Sequence, residues 1–391
     1  MQSKRGESTS KVRKVGQATL AAAVLSGCAG SALAQSSVTL YGFLYSGLRY
    51  VNNSGGNHVT GLATGPSRWG LRGQEDLGSG LRGLFTLESG FDMSTGNSRQ
   101  GGRLFGRQAY VGLSDSSAGT VTLGRQYDLV AEWIAPFTPP GKWNGYMAHV
   151  GDNDNTNWQF RINNAVKYVT PSFGGFQAGA MYSFGEVAGD SHRNSTMSFG
   201  VTYAGGRFRA AAAYLHIDNP ASAVPEGNWN TILFPAVSPT SPLQPNRISP
   251  SSMSVAALAG QYDLDKLKLA VSFTQSRYKD LGDAADGLTD GDVRFNNIDI
   301  NGSYSLTPAW QLGLGYTYTA GKVQPTGFAP KYHQVNAVSN YFLSKRTILQ
   351  AAVAYQRAAG DAQNAYLLFG SGGASSTSGQ LMLLAGIFHV F

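Results

Sequence analysis

From residue 37 to its last residue the sequence repeats one pattern: short segments of alternating apolar and polar side chains, joined by connections that are short and long in turn. Between Trp310 and Thr319, one parity holds Trp310, Leu312, Leu314, Tyr316 and Tyr318, and the other Gln311, Gly313, Gly315, Thr317 and Thr319. Successive side chains of a strand point to opposite faces, so one face is made for hydrocarbon and the other for water. Leu349, Ala351, Val353 and Tyr355 separate in the same way from Gln350, Ala352, Ala354 and Gln356. A soluble sandwich alternates too. Aromatic placement tips the balance, because Trp310 opens its strand while Tyr316 and Tyr318 close it, as rings at two membrane interfaces do.

Outside the N-terminal region no window of about 18 uncharged apolar residues exists, which excludes a membrane protein built of helices. The remaining spanning structure is a closed barrel, which leaves no strand edge unpaired. Fifty glycines, nineteen tyrosines and nineteen phenylalanines suit tight turns and half-buried strands. Alternation and turn residues mark about sixteen strands, the early ones at 37–50, 66–73, 80–91, 103–114 and 118–126. Connections after even-numbered strands are tight, as at 114–117, 171–174, 205 and 263–265, and those after odd-numbered strands are long, as at 127–160, 219–251 and 358–379. All short turns then lie at one end of an all-β, antiparallel transmembrane barrel, with both termini beside them. At this size side chains do not fill the interior, and an aqueous channel is expected.

The first 34 residues read as an export signal: Lys4, Arg5, Lys11, Arg13 and Lys14, an apolar run from Ala18 to Leu25, then Ala32-Leu33-Ala34. A competing reading makes Leu25-Ser26-Gly27-Cys28 a lipoprotein processing site. Cleavage after Ala34 leaves 357 residues without cysteine and lowers the net charge from +7 to +3, since the signal carries five basic residues and Glu7. The basicity is mostly that of the signal and does not point to nucleic acid.

Several stretches resemble the general diffusion porins of Gram-negative outer membranes, especially the trimeric sixteen-stranded branch of β-proteobacteria. They are Ser37-Val38-Thr39-Leu40-Tyr41-Gly42, Ser67-Arg68-Trp69-Gly70-Leu71-Arg72-Gly73, Gly106-Arg107-Gln108-Ala109-Tyr110-Val111-Gly112-Leu113, Leu123-Gly124-Arg125, Asn163-Asn164-Ala165-Val166-Lys167-Tyr168 and Gly386-Ile387-Phe388-His389-Val390-Phe391. The resemblance covers essentially all of 35–391. It implies a homotrimer among outer-membrane lipid and lipopolysaccharide, passing ions and small hydrophilic solutes without a cofactor. It also implies a terminal Phe391 read by the barrel-assembly machinery, and a segment 127–160 folded inward as a constriction loop whose acids face basic wall residues.

The family's wall arginines carry over onto Arg68, Arg107 and Arg161. By parity Arg68 and Arg72 oppose Trp69 and Leu71 and face the lumen, as do Arg161 and Lys167 against Ile162, Val166 and Tyr168. Arg107 shares parity with Ala109 and Val111, but an arginine on the lipid face near the midplane costs about 2–4 kcal/mol, which favours inward. Arg125 sits with Val121 and Leu123 and has the alternative of snorkelling at an interface. On the acidic side Asp152 and Asp154 are the first candidates, with Glu132 and Asp128 behind them. The loop keeps only Pro136-Phe137 of the proline-glutamate-phenylalanine motif of enteric relatives. A basic cluster facing an acidic loop sets a transverse field, and the expected ion preference is weakly anionic.

Six scattered histidines form no metal-binding doublet, and no nucleophile-and-base arrangement stands out, so an enzyme is not expected. The runner-up is a substrate-specific channel, for which Tyr41, Phe43 and Tyr45 on the lumen parity of the first strand would serve as an aromatic slide.

Overall fold

Neighbouring strands in the computed structural model pair antiparallel in chain order, and the last pairs with the first. The structure describes residues 37–65, 67–227, 249–282, 290–324, 326–367 and 371–391. The expected export signal at 1–34 lies outside the described residues. The strands are β1 (Ser37–Ser54), β2 (Asn57–Ala63), β3 (Arg68–Gly78), β4 (Leu81–Gly90), β5 (Gln108–Asp115), β6 (Gly119–Gln126), β7 (Ile162–Val169), β8 (Phe176–Ser183) and β9 (Thr196–Gly205). They continue as β10 (Phe208–Asp218), β11 (Ser252–Leu264), β12 (Leu267–Lys279), β13 (Val293–Thr307), β14 (Trp310–Val323), β15 (Pro330–Phe342), β16 (Thr347–Gly360) and β17 (Gly379–Val390).

Both β2 and β3 pair with β1, the first along Gly47–Ser54 and the second along Ser37–Phe43, so together they make one broken stave of a sixteen-stave barrel. At the break the Ser67 hydroxyl accepts from Tyr45 N at 2.9 Å and donates to Tyr45 O at 3.3 Å, standing in for the missing ladder partner. Closure runs from Phe43↔Val390 to Val51↔Met382 and ends in reciprocal backbone bonds of 3.0 and 3.1 Å between Gly42 and Phe391.

Two expectations change in detail. The stretch after residue 50 is not a loop but a hairpin of β1 and β2 turning at Gly55 and Gly56, whose φ of 63° and 101° suit glycine. Its polar residues on both faces hide the period. The fourth stave begins at Gln108, because Arg103–Arg107 belongs to an irregular connection; Arg107 N donates to Glu88 O at 3.0 Å just before the ladder starts.

Parity is observed as expected along β14: Leu314 is 63% exposed to the outside, whereas Thr317 and Thr319 lie buried within. Polar inward residues are buried because the segment between β6 and β7 folds into the barrel and covers them. Within it lie α1 (Leu129–Trp133) and α2 (Pro139–Lys142).

Candidate functional site

The inward segment starts with Asp128, fully buried, whose carboxylate caps α1 by accepting from Val130 N at 2.8 Å and Ala131 N at 3.0 Å. Asn155, in a turn farther along the segment, donates to its other oxygen at 2.7 Å. Burial pushes this carboxyl up to about 6. Two tryptophans seat the segment where the wall has no side chain. The Trp133 ring lies over Gly179 and Gly200, and that of Trp143 over Gly313 and Gly315, so that a Cβ on any of these glycines would crowd it. Trp143 Nε1 also donates to Ser303 Oγ at 3.0 Å.

Beyond Trp143 the segment is bonded to the far wall. His149 lies between Asp154, 2.8 Å from Nδ1, and Asp299 of β13, 2.8 Å from Nε2, all three buried. Asp154 also accepts from Thr274, and Asn153 Oδ1 accepts from Ser276 Oγ and Asn297 Nδ2. Burial would lower the imidazole, but the two carboxylates overcome it and hold His149 well above its ordinary range. Asp154 is held down at about 2, burial being outweighed by His149 and the hydroxyls. Asp152 goes the other way: burial, then the Asp154 charge, push it up to about 8.

Asp152 and Asp154, expected across the passage from the arginines, are therefore fully buried in this anchor. Asp154, enclosed by hydroxyls, an amide and the imidazole, does not present its charge to the lumen, and Asp152, whose carboxyl accepts from Asn157 N at 3.0 Å, keeps its proton at neutral pH. Asp128 is likewise enclosed as a helix cap. Of the expected acids only Glu132 meets the basic wall, 2.5 Å from Lys167 Nζ.

The opposite wall brings the expected cations together. Arg107 Nε donates to Glu88 at 2.7 Å, Arg68 stands 3.6 Å from the same carboxylate, and the Tyr41 hydroxyl donates to it at 3.0 Å. Tyr127 accepts from both Arg107 and Arg161, at 2.6 and 2.8 Å. Arg72 lies over the Tyr41 ring and Arg68 over that of Phe43. Arg125 is buried and bonds inward although it follows Val121 and Leu123; the preceding Gly124 has φ of 132°, and the ladder to β7 shifts register between Gly124 and Gln126. Its guanidinium bonds Gly106 O at 2.9 Å, Asn163 Oδ1 at 2.5 Å and Glu226.

Between this wall and the 140–146 stretch lies a cavity of about 550 Å³. Arg68, Arg99, Arg107, Lys142 and Arg161 line it, against one acid, Glu226, among the described residues. Burial brings the Lys142 ammonium down to about 8. Glu88, Arg99, Lys142, Tyr127 and Glu226 join the expected residues at this site. Glu88 was legible, sharing parity with Thr86 against Phe85 and Leu87; Glu226 lies in an irregular stretch and carried no signal. Among the described residues the cavity is walled by fixed, mostly positive charge.

The family model for Gram-negative porins matches residues 19–361. The chain is 32% identical over 384 residues to an outer membrane porin protein of Bordetella pertussis, covering 86% of this chain and 93% of the relative. It is also 32% identical over 352 residues to outer membrane porin protein 32 of Delftia acidovorans, covering 86% and 88%. Among solved structures, an anion-selective porin from Comamonas acidovorans superposes with a TM-score of 0.71 at 25% identity, covering 91% of this chain and all of that one.

Proposed function

Because the chain belongs to the Gram-negative porins, we propose that it is a passive outer-membrane channel with a weak preference for anions, passing ions and small hydrophilic solutes down their gradients. The observation that carries the preference is the cavity lining, five cations against Glu226. Fixed positive charge beside a narrow passage lowers the energy of an anion there and raises that of a cation. The preference is weak because Glu88 lies behind Arg107 and Arg68, and Asp92 pairs with Arg99 at 2.8 Å. The anion selectivity in the name of the Comamonas structure agrees with this reading. Arg68, Arg72, Arg107, Arg125, Arg161 and Lys167 form the basic side of the constriction, and Glu132 and Glu226 its acidic counterparts.

We read the working unit as a homotrimer set among lipid and lipopolysaccharide, exported by residues 1–34 and delivered through the barrel-assembly machinery. Phe391, on one parity with Ile387, Ala385 and Leu383, closes the barrel against Gly42 and is the residue that machinery would read. Tyr41, Phe43 and Tyr45 do not favour a substrate-specific channel: the first two lie beneath Arg72 and Arg68, and Tyr45 packs on Phe388 with ring centroids 4.3 Å apart.

Single-channel recording of the refolded protein tests the reading. Large ohmic steps closing in threes, unchanged by sugars or amino acids, are expected; small steps blocked by one solute at low concentration would replace it with a specific channel.

A further inference from the structure

The one acid on the cavity lining comes from neither the inward segment nor the wall, but from the connection after β10. There a short helix, α3 (Pro220–Ala223), and the fully buried Val224 direct Pro225 and Glu226 over the basic wall. Glu226 Oε1 accepts from Arg125 Nη2, and Oε2 stands 3.7 Å from Arg103 Nη1. Arg125 is itself oriented by Gly106 O and Asn163, and Arg103 by Gln100 O at 2.9 Å, so both guanidinium groups are set before the carboxylate arrives.

The fit is incomplete. The Glu226 side chain is 7% exposed, yet among the described residues its buried Oε2 has no hydrogen-bond partner. A buried carboxylate oxygen without a donor is costly, so this is not a pair selected for stability alone. A free carboxylate is not bound to the geometry of the backbone and can turn to meet both guanidinium groups. The tether, in turn, supplies a high local concentration of the competing group.

We propose that Arg103 and Arg125 form a carboxylate site beside the cavity, behind Glu226, and that Glu226 is its built-in competitor, yielding the site to small organic carboxylates as they pass. The proposal rests on the anion-preferring channel reading above and adds a solute class to it. It makes Glu226 a determinant of how strongly carboxylates dwell in the passage.

The test uses the refolded full-length protein in planar bilayers in potassium chloride, titrated with potassium acetate while the chloride current is followed. In Glu226→Gln the acetate concentration that halves the current should fall about tenfold from the wild type. Adding Arg103→Gln, at a side chain 40% exposed that holds no part of the ladder, should reverse most of that gain. Equal acetate dependence in wild type and Glu226→Gln overturns the proposal. A gain that Arg103→Gln leaves intact overturns the two-arginine site. A wild-type channel that prefers cations instead overturns the anion reading, which the chloride gradient reports before any acetate is added.

Discussion

His149 Nε2 lies 2.8 Å from Asp299 Oδ2, bonding the middle of the inward segment to the barrel wall on the side away from the arginines. With Asp154 on its other nitrogen the imidazole sits between two carboxylates with no exposure to solvent. Removing the histidine strands two buried charges. His149→Leu should destabilise the anchored segment by about 3–5 kcal/mol. Proteolysis of the folded barrel within 127–160 and open-channel noise should both rise; a quiet, protease-resistant channel would contradict the anchor.

Asp152 gives that anchor a pH dependence. Its carboxyl titrates from 3.8 in its ordinary state to about 8 in the fold, so across that interval the folded protein holds a proton that the unfolded chain has lost. Stability from this group therefore falls as pH rises from about 4 to 8 and levels beyond. His149, held above its ordinary range, works in the same direction at higher pH; Asp154, held down, costs stability only as pH drops toward 2. Unfolding midpoints at pH 5 and pH 8 should differ more in the wild type than in Asp152→Asn. Equal differences would place the titration elsewhere.

Lys142 links pH to selectivity. Its ammonium lines the cavity, is bonded to Asn301 Oδ1 at 2.9 Å, and is lowered by burial to about 8. Raising pH from 7 to 9 removes one of the five cations, so the chloride-to-potassium permeability ratio should fall. Lys142→Met should start lower and stay flat over the same range; a persistent fall in that variant would assign the effect to another group.

The glycine seats set where the segment rests. A Cβ at Gly313 would stand 2.6 Å from the Trp143 ring and 2.6 Å from Val338. Gly313→Val should therefore lift Trp143 off Ser303 into the passage, at a cost of about 1–3 kcal/mol, and reduce single-channel conductance. An unchanged conductance would show that the segment is not held by this seat.

The barrel was legible because its two environments repeat: lipid outside and water inside impose a period of two on every stave, and Trp310 to Thr319 shows it without exception. Legibility ended where the period breaks. Arg125 follows Gly124, whose φ is 132°, where the ladder to β7 shifts register, and Arg107 stands before its ladder begins, so neither orientation follows from parity alone. The sequence around Asp152 and Asp154 is polar, as a passage loop would be; the wall partners of Asp154, Thr274 and Asn297, and Asp299, which shares its histidine, lie more than a hundred residues away. Glu226 meets Arg125 across a similar separation. Such pairings depend on how the connections fold over the mouth, which local alternation does not encode.

The central claim, a passage whose fixed charge favours anions, is tested most directly by the zero-current potential of the wild-type channel in a bilayer under a tenfold potassium chloride gradient. The account predicts a potential of the sign that marks chloride as the more permeant ion, shrinking when Arg68 or Lys142 is neutralised. A potential of the opposite sign, or one unmoved by those substitutions, would contradict it.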